Sequence, residues 1–464
     1  MPDPSPRLII IGLDCMEPSL VFEQWRRDLP NLSRLMARGS YGRLESSIPA
    51  ITVPAWSCMM SGRDPGELGI YGFRNRRSRD YHNMGISDGR AVKVPRLWDI
   101  VGDAGWRVAV LSVPGTSPPY PVNGALVSCF LTPNTGITFT YPPELGFQIR
   151  DWMPDFMLDV PQFRSNDKAR ILENLYTLCD QRFLLAEKLI HQDQPDLLML
   201  VDMGTDRIHH SFWKPMDPRH PQYEPNSPYE SAIHDYYVHV DQRIGELLSR
   251  CDDDTAVLVV SDHGARPLMG GVCINEWLMD QGYLTLKEAP SGVTPLDQAA
   301  VDWSHTQVWG AGGYYARIFI NVEGREPQGV VPMADYEALR QQLAERLQTL
   351  TDPEGKPLQV KVFRPQEIYQ RVRGMAPDLI VYFDDLAWRS IGSVGMGALH
   401  TTDNDTGPDD ANHAPYGLMI FHDPKNPKGG QILEGAQLYD ILPTLLDRYG
   451  IPAPSRLRGK VLPV

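Results

Sequence analysis

Acidic and histidine side chains follow three short apolar runs of the chain, each at the point where a buried strand would end. Asp14 follows LIIIGL, Asp202 and Asp206 follow LLMLV, and Asp262 and His263 follow AVLVVS. In α/β sheets, ligands bind at the carboxyl ends of the strands, so we expect these side chains to converge at one sheet edge. Carboxylates and neutral imidazoles bind divalent ions such as Zn²⁺, or Mn²⁺ where carboxylates dominate. The pattern therefore predicts a metal centre at that edge.

Two further motifs extend the predicted metal centre. In DRIHH, Asp206 and His210 are four residues apart, which places them on one face if the segment is helical; His209 is the alternative ligand. His413 lies in the motif NHAPYG, in a predicted loop before a later apolar run. Asp202 either orients a ligand or only caps its strand. Together these side chains supply enough ligands for two divalent ions.

A hydroxyl group is predicted to face the same edge. The stretch SSIPAITVPAWSCMMSG, residues 46–62, places Thr52 at a strand-to-helix corner. A hydroxyl at a helix N-terminus beside bound cations could be deprotonated and directed at phosphorus, and the helix amides would favour a phosphate oxygen there. The alternative is that Thr52 only caps a helix that begins near Pro54.

The elements that must position these residues alternate along the chain. Buried strands are predicted at RLIIIGLD, RVAVLSV, LLMLVD, TAVLVVSDHG, DLIVYF and YGLMIFHD. Between or after them lie helical patterns, of which DKARILENLYTLCDQRFLLAEKLIHQ is the longest. This alternation predicts an α/β fold in which a mostly parallel sheet is sandwiched by helices.

The alternation of predicted strands and helices is interrupted along the chain, which predicts a discontinuous core. Residues 1–281 form the first part of the predicted catalytic core, with a loop insertion at about 115–165. Residues 282–364, rich in Gly, Pro and aromatic residues, form a predicted inserted cap, and residues 365–464 return to the core. The aromatic residues of the cap either stack on a flat substrate group or pack the cap itself: Trp303, Trp309, Tyr314 and Tyr315.

The composition limits the possible partners. A formal net charge of −14 over 464 residues argues against a nucleic-acid polymer, because phosphate backbones are bound by clustered Lys and Arg. A small phosphorylated substrate is compatible with this charge, since bound cations make a site locally positive. No apolar run approaches the roughly 20 residues that span a bilayer, and MPDPSPRLIIIGLDC lacks signal-peptide features, so we expect a cytoplasmic protein without a membrane partner. The six scattered cysteines are expected to be reduced thiols, and no pattern indicates an oligomeric state.

The order and spacing of the motifs resemble a known superfamily. The segments are GLDCMEP, TVPAWSCMMSGRDPGELGI, DRIHH, VSDHG and NHAPYG, which span positions 12–417. In this order the chain resembles the alkaline phosphatase superfamily and, within it, the cytoplasmic prokaryotic branch of the type I phosphodiesterase/nucleotide pyrophosphatase family. The resemblance implies an alkaline-phosphatase-like fold and two divalent cations. It implies that one cation is held by Asp14, Thr52, Asp262 and His263, and the other by Asp206, His210 and His413.

The chain departs from that family close to the implied nucleophile. The family has TFPN where this sequence has TVPA followed by Trp56, and the family's later phosphate-contacting Asn falls on Phe73 by gapless counting. We therefore predict that Trp56, Arg74 and Asn75 contact the substrate.

The sequence thus predicts a two-metal hydrolase of phosphoesters. By resemblance, it acts on phosphodiester or nucleotide pyrophosphate bonds, and Thr52 is the nucleophile that carries a covalent phospho-threonine intermediate. A phosphomonoesterase, a phosphomutase or a phosphonate hydrolase on the same site is the alternative. A metal-binding scaffold without turnover is the alternative from a different class.

Overall fold

The computed structural model describes residues 8–464, so residues 1–7 of the predicted first core segment lie outside the described residues. The strands are β1 Leu8–Leu13, β2 Ser40–Glu45, β3 Arg74–Arg76, β4 Met84–Ile86, β5 Val108–Leu111, β6 Gly124–Val127, β7 Thr140–Tyr141, β8 Leu197–Asp202, β9 Ala256–Val260, β10 Gly264–Pro267, β11 Gly270–Cys273, β12 Val308–Ala311, β13 Ala316–Ile320, β14 Val360–Phe363, β15 Leu379–Phe383, β16 Trp388–Ile391, β17 His400–Thr401, β18 Ala411–Ala414, β19 Tyr416–His422, β20 Gln431–Ile432 and β21 Ala436–Gln437. The helices are α1 Pro30–Arg38, α2 Thr52–Ser61, α3 Pro65–Leu68, α4 Leu97–Asp103, α5 Pro143–Trp152, α6 Lys168–Asp193, α7 Gly204–Met216, α8 Ala232–Leu248, α9 Ile274–Asp280, α10 Tyr336–Leu347, α11 Pro365–Ile368 and α12 Ile441–Arg448.

The larger of the two main sheets is built from the apolar runs of the sequence, because strands buried on both faces read as continuous apolar segments. Its strand order is β20-β2-β19-β9-β1-β8-β5-β6-β7, with β21 beside β2. β1 pairs in parallel with both β8 and β9, and β5 extends the parallel run beyond β8. β19 joins antiparallel between β9 and β2. The predicted α/β fold with a mostly parallel sheet is thereby confirmed.

Two groups of helices flank this sheet. In one group α8 contacts α1, α6 and α7, and in the other α12 contacts α2 and α4. The longest helix, α6, begins where the sequence pattern predicts, since Asp167 caps it by accepting a hydrogen bond from the backbone amide of Arg170. None of the helices in residues 8–464 combines the length and apolar character needed to cross a membrane.

A second sheet has a hydrophobic core of its own. Its order is β12-β13-β15-β16-β11-β17, with β14 beside β15, and its core includes Val272, Ile318 and Leu379. The predicted cap segment 282–364 supplies β12, β13 and β14, and strands on both sides of that segment complete the sheet. The run DLIVYF forms β15 in this sheet and not a strand of the larger sheet. An apolar run predicts a buried strand, but it does not predict the sheet to which that strand belongs. The division into a core and an inserted cap stays a prediction.

A separate antiparallel ribbon lies beside the edge of the larger sheet. β10 pairs with β18, and the register places Ala265 opposite His413. Because β10 follows β9 after only a short turn, this ribbon holds the motif NHAPYG beside the end of β9.

Candidate metal centre

The carboxyl ends of β1 and β9 hold the first group of candidate ligands. Asp14 directly follows β1, and Asp262 and His263 follow β9, the parallel neighbour of β1. One ligand atom from each of these three residues lies within 4.8 Å of the other two. The backbone amide of Cys15 donates a 3.2 Å hydrogen bond to Asp262 Oδ1, which ties the two strand ends together. The structure therefore brings these side chains to one sheet edge.

The second group of candidate ligands comes from the first turns of α7 and from the β10–β18 ribbon. Asp206 and His210 lie one helical turn apart in α7, and His413 lies in β18, where the sequence predicted a loop. Asp206 Oδ1 is 3.2 Å from His210 Nε2 and 3.6 Å from His413 Nε2. One ligand atom of each residue lies within 4.8 Å of the other two. Helix and ribbon thus bring together the second set of residues that the resemblance implies.

Thr52 lies beside the first group. The helix α2 begins at Thr52 itself, after the extended residue Ile51, so Thr52 is the first helical residue and not the cap of a helix that begins near Pro54. Thr52 Oγ1 is 3.5 Å from Asp14 Oδ1 and 3.4 Å from His263 Nε2. The side chain is almost completely buried, with 2% of its surface exposed. The hydroxyl therefore faces candidate metal ligands at the N-terminus of a helix.

The donor atoms of both groups fit divalent cations. Asp206 Oδ1, Asp262 Oδ2 and His413 Nε2 are buried and make no hydrogen bond within residues 8–464, although each carboxylate oxygen lies 3.2 Å from an imidazole Nε2. The Nδ1 atoms of His263 and His413 contact backbone carbonyls at 3.2 and 3.1 Å. A carbonyl only accepts hydrogen bonds, so each Nδ1 is the protonated nitrogen and each Nε2 keeps its lone pair for a ligand. Buried polar atoms without partners are costly, and a cation bound between them would remove that cost.

The electrostatics of the two groups differ. Burial, followed by the charge of Asp206, raises the pKa of Asp14 well above its ordinary range, and burial and the charge of Asp14 raise the pKa of Asp262. Burial alone would also raise the pKa of Asp206, but His210 and Arg207 outweigh it and hold that pKa well below its ordinary range. The negative charge of the acidic side chains in the first group is therefore little compensated by basic side chains, which favours the binding of cations.

Burial keeps two of the candidate histidines neutral. It lowers the pKa of His263 well below its ordinary value and also lowers the pKa of His413. Neutral imidazole is the form that binds metal ions, so neither ligand has to lose a proton at neutral pH.

An acidic residue that was not singled out from the sequence supports His210. The Asp409 carboxylate contacts His210 Nδ1 at 2.6 Å, and its other oxygen is 3.2 Å from Arg164 Nη2 and 3.3 Å from Arg389 Nη1. The contact leaves His210 Nε2 directed toward Asp206. The carboxylate therefore fixes the orientation of a candidate ligand.

A basic residue supports the other side of the second group. Arg207 forms a 2.8 Å ion pair with Asp159 and also contacts the carboxylate of Asp206. Asp159 lies in the predicted loop insertion, far from DRIHH along the chain. No spacing rule in the sequence would have selected such partners.

The predicted substrate-binding residues occupy different positions. Trp56 is fully buried, and its indole Nε1 donates a 2.7 Å hydrogen bond to Asp14 Oδ2. The Asn75 amide group bonds to backbone groups of its own turn. Arg74 is exposed and lines a pocket of about 330 Å³. Contact with substrate stays a prediction for all three, and the positions of Trp56 and Asn75 favour a supporting role.

The pocket that Arg74 lines is formed mainly by the second sheet. Other lining residues include Trp309, Gly313, Arg317 and Arg389. None of its lining residues is a candidate ligand, but the lining residue Gly313 precedes Tyr314, whose ring stacks on His413 with centroids 4.0 Å apart. A larger groove of about 870 Å³ is likewise lined by none of the candidate ligands, although its lining residue Ala414 directly follows His413.

Asp202 and His209 have local partners. Asp202 accepts hydrogen bonds from the backbone amide of Gly204 at 3.0 Å and from the hydroxyl of Tyr236 at 2.9 Å. His209, the alternative ligand, contacts the hydroxyl of Tyr237 at 2.9 Å. Both contacts favour a structural role for these two residues.

The aromatic residues of the predicted cap separate into two kinds. Tyr314 stacks on the candidate ligand His413. The others pack within hydrophobic clusters: Trp303, Trp309 and Tyr315. Packing of the cap is therefore the role that their surroundings favour, although Trp303 and Trp309 also line the pocket.

Comparison with known proteins shows the family and the fold of the chain. The family model described as type I phosphodiesterase/nucleotide pyrophosphatase matches residues 8–409. No curated protein sequence matches the chain. Among solved structures, the chain is similar to phosphonoacetate hydrolase from Sinorhizobium meliloti 1021 in complex with phosphonoacetate, with a TM-score of 0.59, 16% sequence identity and 94% of each chain covered. It is also similar to human ectonucleotide pyrophosphatase/phosphodiesterase 5, with a TM-score of 0.58, 13% identity, and 98% of this chain and 97% of that chain covered. The murine protein of the same name, inactive and in complex with AMP, gives a TM-score of 0.55 at 12% identity, with 97% of this chain and 96% of that chain covered. These likenesses confirm the predicted fold.

Proposed function

Because the chain belongs to the type I phosphodiesterase/nucleotide pyrophosphatase family, we propose that it cleaves small phosphodiesters at a two-cation centre with Thr52 as the nucleophile. Family membership makes the chain a metal-dependent hydrolase of phosphoester bonds. The type of bond, the number and identity of the cations and the role of Thr52 belong to the proposal. We infer Zn²⁺ as the cation and Mn²⁺ as the alternative, since the ligand groups mix carboxylates with imidazoles.

The observation that carries the proposal is the position of the Thr52 hydroxyl. Its oxygen lies 3.5 Å from Asp14 Oδ1 and 3.4 Å from His263 Nε2, at the first residue of a helix. The first backbone N–H groups of a helix have no partner within the helix, so they are available to a phosphoryl oxygen. One cation would be held by Asp14, Thr52, Asp262 and His263, and the other by Asp206, His210 and His413.

The reaction would proceed in two steps at Thr52. Bound cations would supply positive charge that stabilises the phosphoryl oxygens and favours the deprotonated hydroxyl. The Thr52 hydroxyl loses its proton to solvent, its oxygen attacks phosphorus, the bond to the leaving-group oxygen breaks, and the leaving oxygen takes up a proton from solvent. Water then hydrolyses the phospho-threonine intermediate, which still carries the other ester group of the substrate, and this step releases a phosphomonoester and restores the Thr52 hydroxyl.

The pocket that Arg74 lines is the proposed site for the variable part of the substrate. Its volume of about 330 Å³ suits a small molecule, not a polymer. Arg74 and Arg317 supply positive charge there, and Trp309 supplies an aromatic surface. We therefore expect a small phosphodiester with an anionic or flat substituent to react faster than one without such a group.

A substrate panel tests the class of reaction. Initial rates are measured on bis(p-nitrophenyl) phosphate, p-nitrophenyl phosphate, a p-nitrophenyl ester of a nucleotide and phosphonoacetate, after metal removal and readdition of Zn²⁺ or Mn²⁺. Faster cleavage of the diesters supports the proposal. Preference for the monoester or the phosphonate transfers the assignment to a phosphatase or a phosphonate hydrolase. No turnover with bound metal supports the scaffold alternative.

Substitution of Thr52 tests the nucleophile. Thr52→Val keeps the shape of the side chain and removes the hydroxyl, so turnover should fall by roughly a thousandfold or more. Thr52→Ser is the matched control, because it keeps a hydroxyl at the same position and should retain measurable turnover. Acid quenching during diester turnover, followed by mass spectrometry, should detect on residue 52 of the wild type a phosphoryl group that still carries the remaining ester substituent. A Thr52→Val rate within about tenfold of the wild type contradicts the assignment.

A further inference from the structure

Cys15 has an unusual backbone conformation at the centre of the candidate site. It directly follows Asp14 at the end of β1, and its φ angle is 61°, a region that residues other than Gly, Asn and Asp seldom adopt. The side chain is 1% exposed, and Sγ donates a hydrogen bond to the carbonyl of Gly264 at 3.2 Å. A non-glycine residue held in this conformation beside metal ligands is a reason to look for a function.

The thiol lies close to one histidine from each ligand group. Cys15 Sγ and one ring nitrogen each of His263 and His413 lie within 4.8 Å of one another. The two imidazole rings stack with their centroids 3.8 Å apart and their planes at 18°. Because His263 belongs to the first group and His413 to the second, Cys15 lies beside a ligand of each.

The chemistry of this set differs from that of either ligand group. One thiolate and two imidazoles form a ligand set for zinc-like, thiophilic ions, whereas the two groups with carboxylates also accept harder ions. His413 Nε2 is buried without a hydrogen-bond partner in the described part of the chain, and the Nδ1 atoms of both histidines contact backbone carbonyls. Each histidine therefore has a single nitrogen left to bind a cation.

We propose that Cys15, His263 and His413 form a third cation site, selective for thiophilic divalent ions and mutually exclusive with occupation of both ligand groups. On binding, the S–H bond of Cys15 breaks, its proton passes to solvent, and sulfur bonds to the cation. Because this cation uses the one free nitrogen of each histidine, it removes a ligand from both groups. Thiophilic ions in excess would therefore inhibit the enzyme by displacing the working cations. The inhibitory role rests on the proposed function, but the site itself does not.

Cadmium binding tests the site without any need for turnover. The metal-free full-length protein is titrated with Cd²⁺, and sulfur-to-cadmium charge transfer is followed by ultraviolet absorbance. We expect this band in the wild type and its loss in Cys15→Gly, in which glycine suits the φ of 61°. Cys15→Ser should lose the band as well and provides a second variant if the first fails to fold. Cys251→Ser is the matched control, because it removes a thiol outside the site and should keep the band.

Each outcome of the titration decides the inference. A wild type without the band, a Cys15→Gly variant with the wild-type band, or a Cys251→Ser variant that loses it would overturn the site. A band that depends on Cys15 supports the site even if Thr52 proves not to be the nucleophile. The inhibitory role is tested by Cd²⁺ inhibition of phosphoester turnover, which should be weaker in Cys15→Gly than in the wild type, relative to the uninhibited rate of each. Equal sensitivity would overturn that role.

Discussion

Asp409→Asn should weaken cation binding by the group that contains His210. The Asp409 carboxylate contacts His210 Nδ1 at 2.6 Å, and its other oxygen lies near Arg164 and Arg389 at 3.2 and 3.3 Å. Burial alone would raise its pKa, but His210 and Arg164 lower the pKa of Asp409 to about 2, so it is ionised at any working pH. A carboxylate can accept hydrogen bonds from the histidine and from both arginines.

An asparagine cannot satisfy the same three donors. Its single oxygen can face His210 or the arginines, and its NH₂ group then faces a donor on the other side. Loss of such a partner of a ligand histidine costs about 10- to 100-fold in metal affinity or activity. That range corresponds to about 1.4 to 2.7 kcal/mol of binding free energy.

The assay is competition for Zn²⁺ with a chromophoric chelator, with elemental analysis of the protein at equilibrium. For the proposed pair of ions, we expect the affinity of the one held by the His210 group to fall by this range, while the other ion binds as in the wild type. Asp403→Asn, an equal change of charge at an exposed position of the same loop, should leave both affinities unchanged. Wild-type affinity for both ions in Asp409→Asn, with circular dichroism confirming the fold, would refute the reasoning.

Three further substitutions have expected outcomes. Trp56→Phe removes the 2.7 Å hydrogen bond to the buried carboxyl group of Asp14. It should lower the free energy of unfolding of the metal-free protein by about 1 to 3 kcal/mol in a urea titration, and an unchanged unfolding midpoint would contradict this. Gly12→Ala would place Cβ 2.6 Å from Trp56 and 2.7 Å from Val201. This overpacking should lower the free energy of unfolding by about 1 to 3 kcal/mol in the same assay, and wild-type stability would show that the core relaxes freely. Burial lowers the pKa of His220 to about 4. As the pH falls, the His220 imidazole takes up a proton in the unfolded state before it does so in the folded state. The contribution of His220 to stability is therefore fully present above about pH 6.5 and is lost progressively as the pH falls toward about 4. His220→Asn, compared with the wild type at several pH values, should therefore lose less stability on acidification, and parallel pH profiles would rule this out.

The sheet edge that carries the candidate site could be predicted from the sequence. Asp14 and Asp262 each follow an apolar run, and adjacent parallel strands in register must bring such positions together. The pairing of Asp206 with His210 follows from the helical repeat in the same way. These predictions depend on local periodicity, which the sequence records directly.

Other features of the site depend on contacts between distant segments. His413 approaches Asp206 because β18 pairs with β10, and nothing in the motif NHAPYG specifies that partner. Trp56 was predicted to contact substrate because it follows the candidate nucleophile, yet its indole faces Asp14. Asp409 lies in a loop with several acidic residues, and only the tertiary structure selects it as the partner of His210. A charged residue whose function is to hold another side chain has no spacing rule of its own.

The arrangement of charges explains why folding and cation binding should be coupled at this site. Asp14 and Asp262 are fully buried at the ends of adjacent strands, and beyond the effect of burial a neighbouring carboxylate raises the pKa of each: Asp206 for Asp14, and Asp14 for Asp262. The metal-free state therefore keeps buried acidic groups close together, and the hydrogen bond from Trp56 compensates only one oxygen of Asp14. The surrounding sheet must supply the free energy that holds these groups in place. Since a cation that binds only the folded state stabilises it by mass action, the same repulsion that weakens the empty site increases the benefit of filling it. A site organised in this way favours cations before any substrate arrives, which is what a reaction with an anionic phosphoester requires.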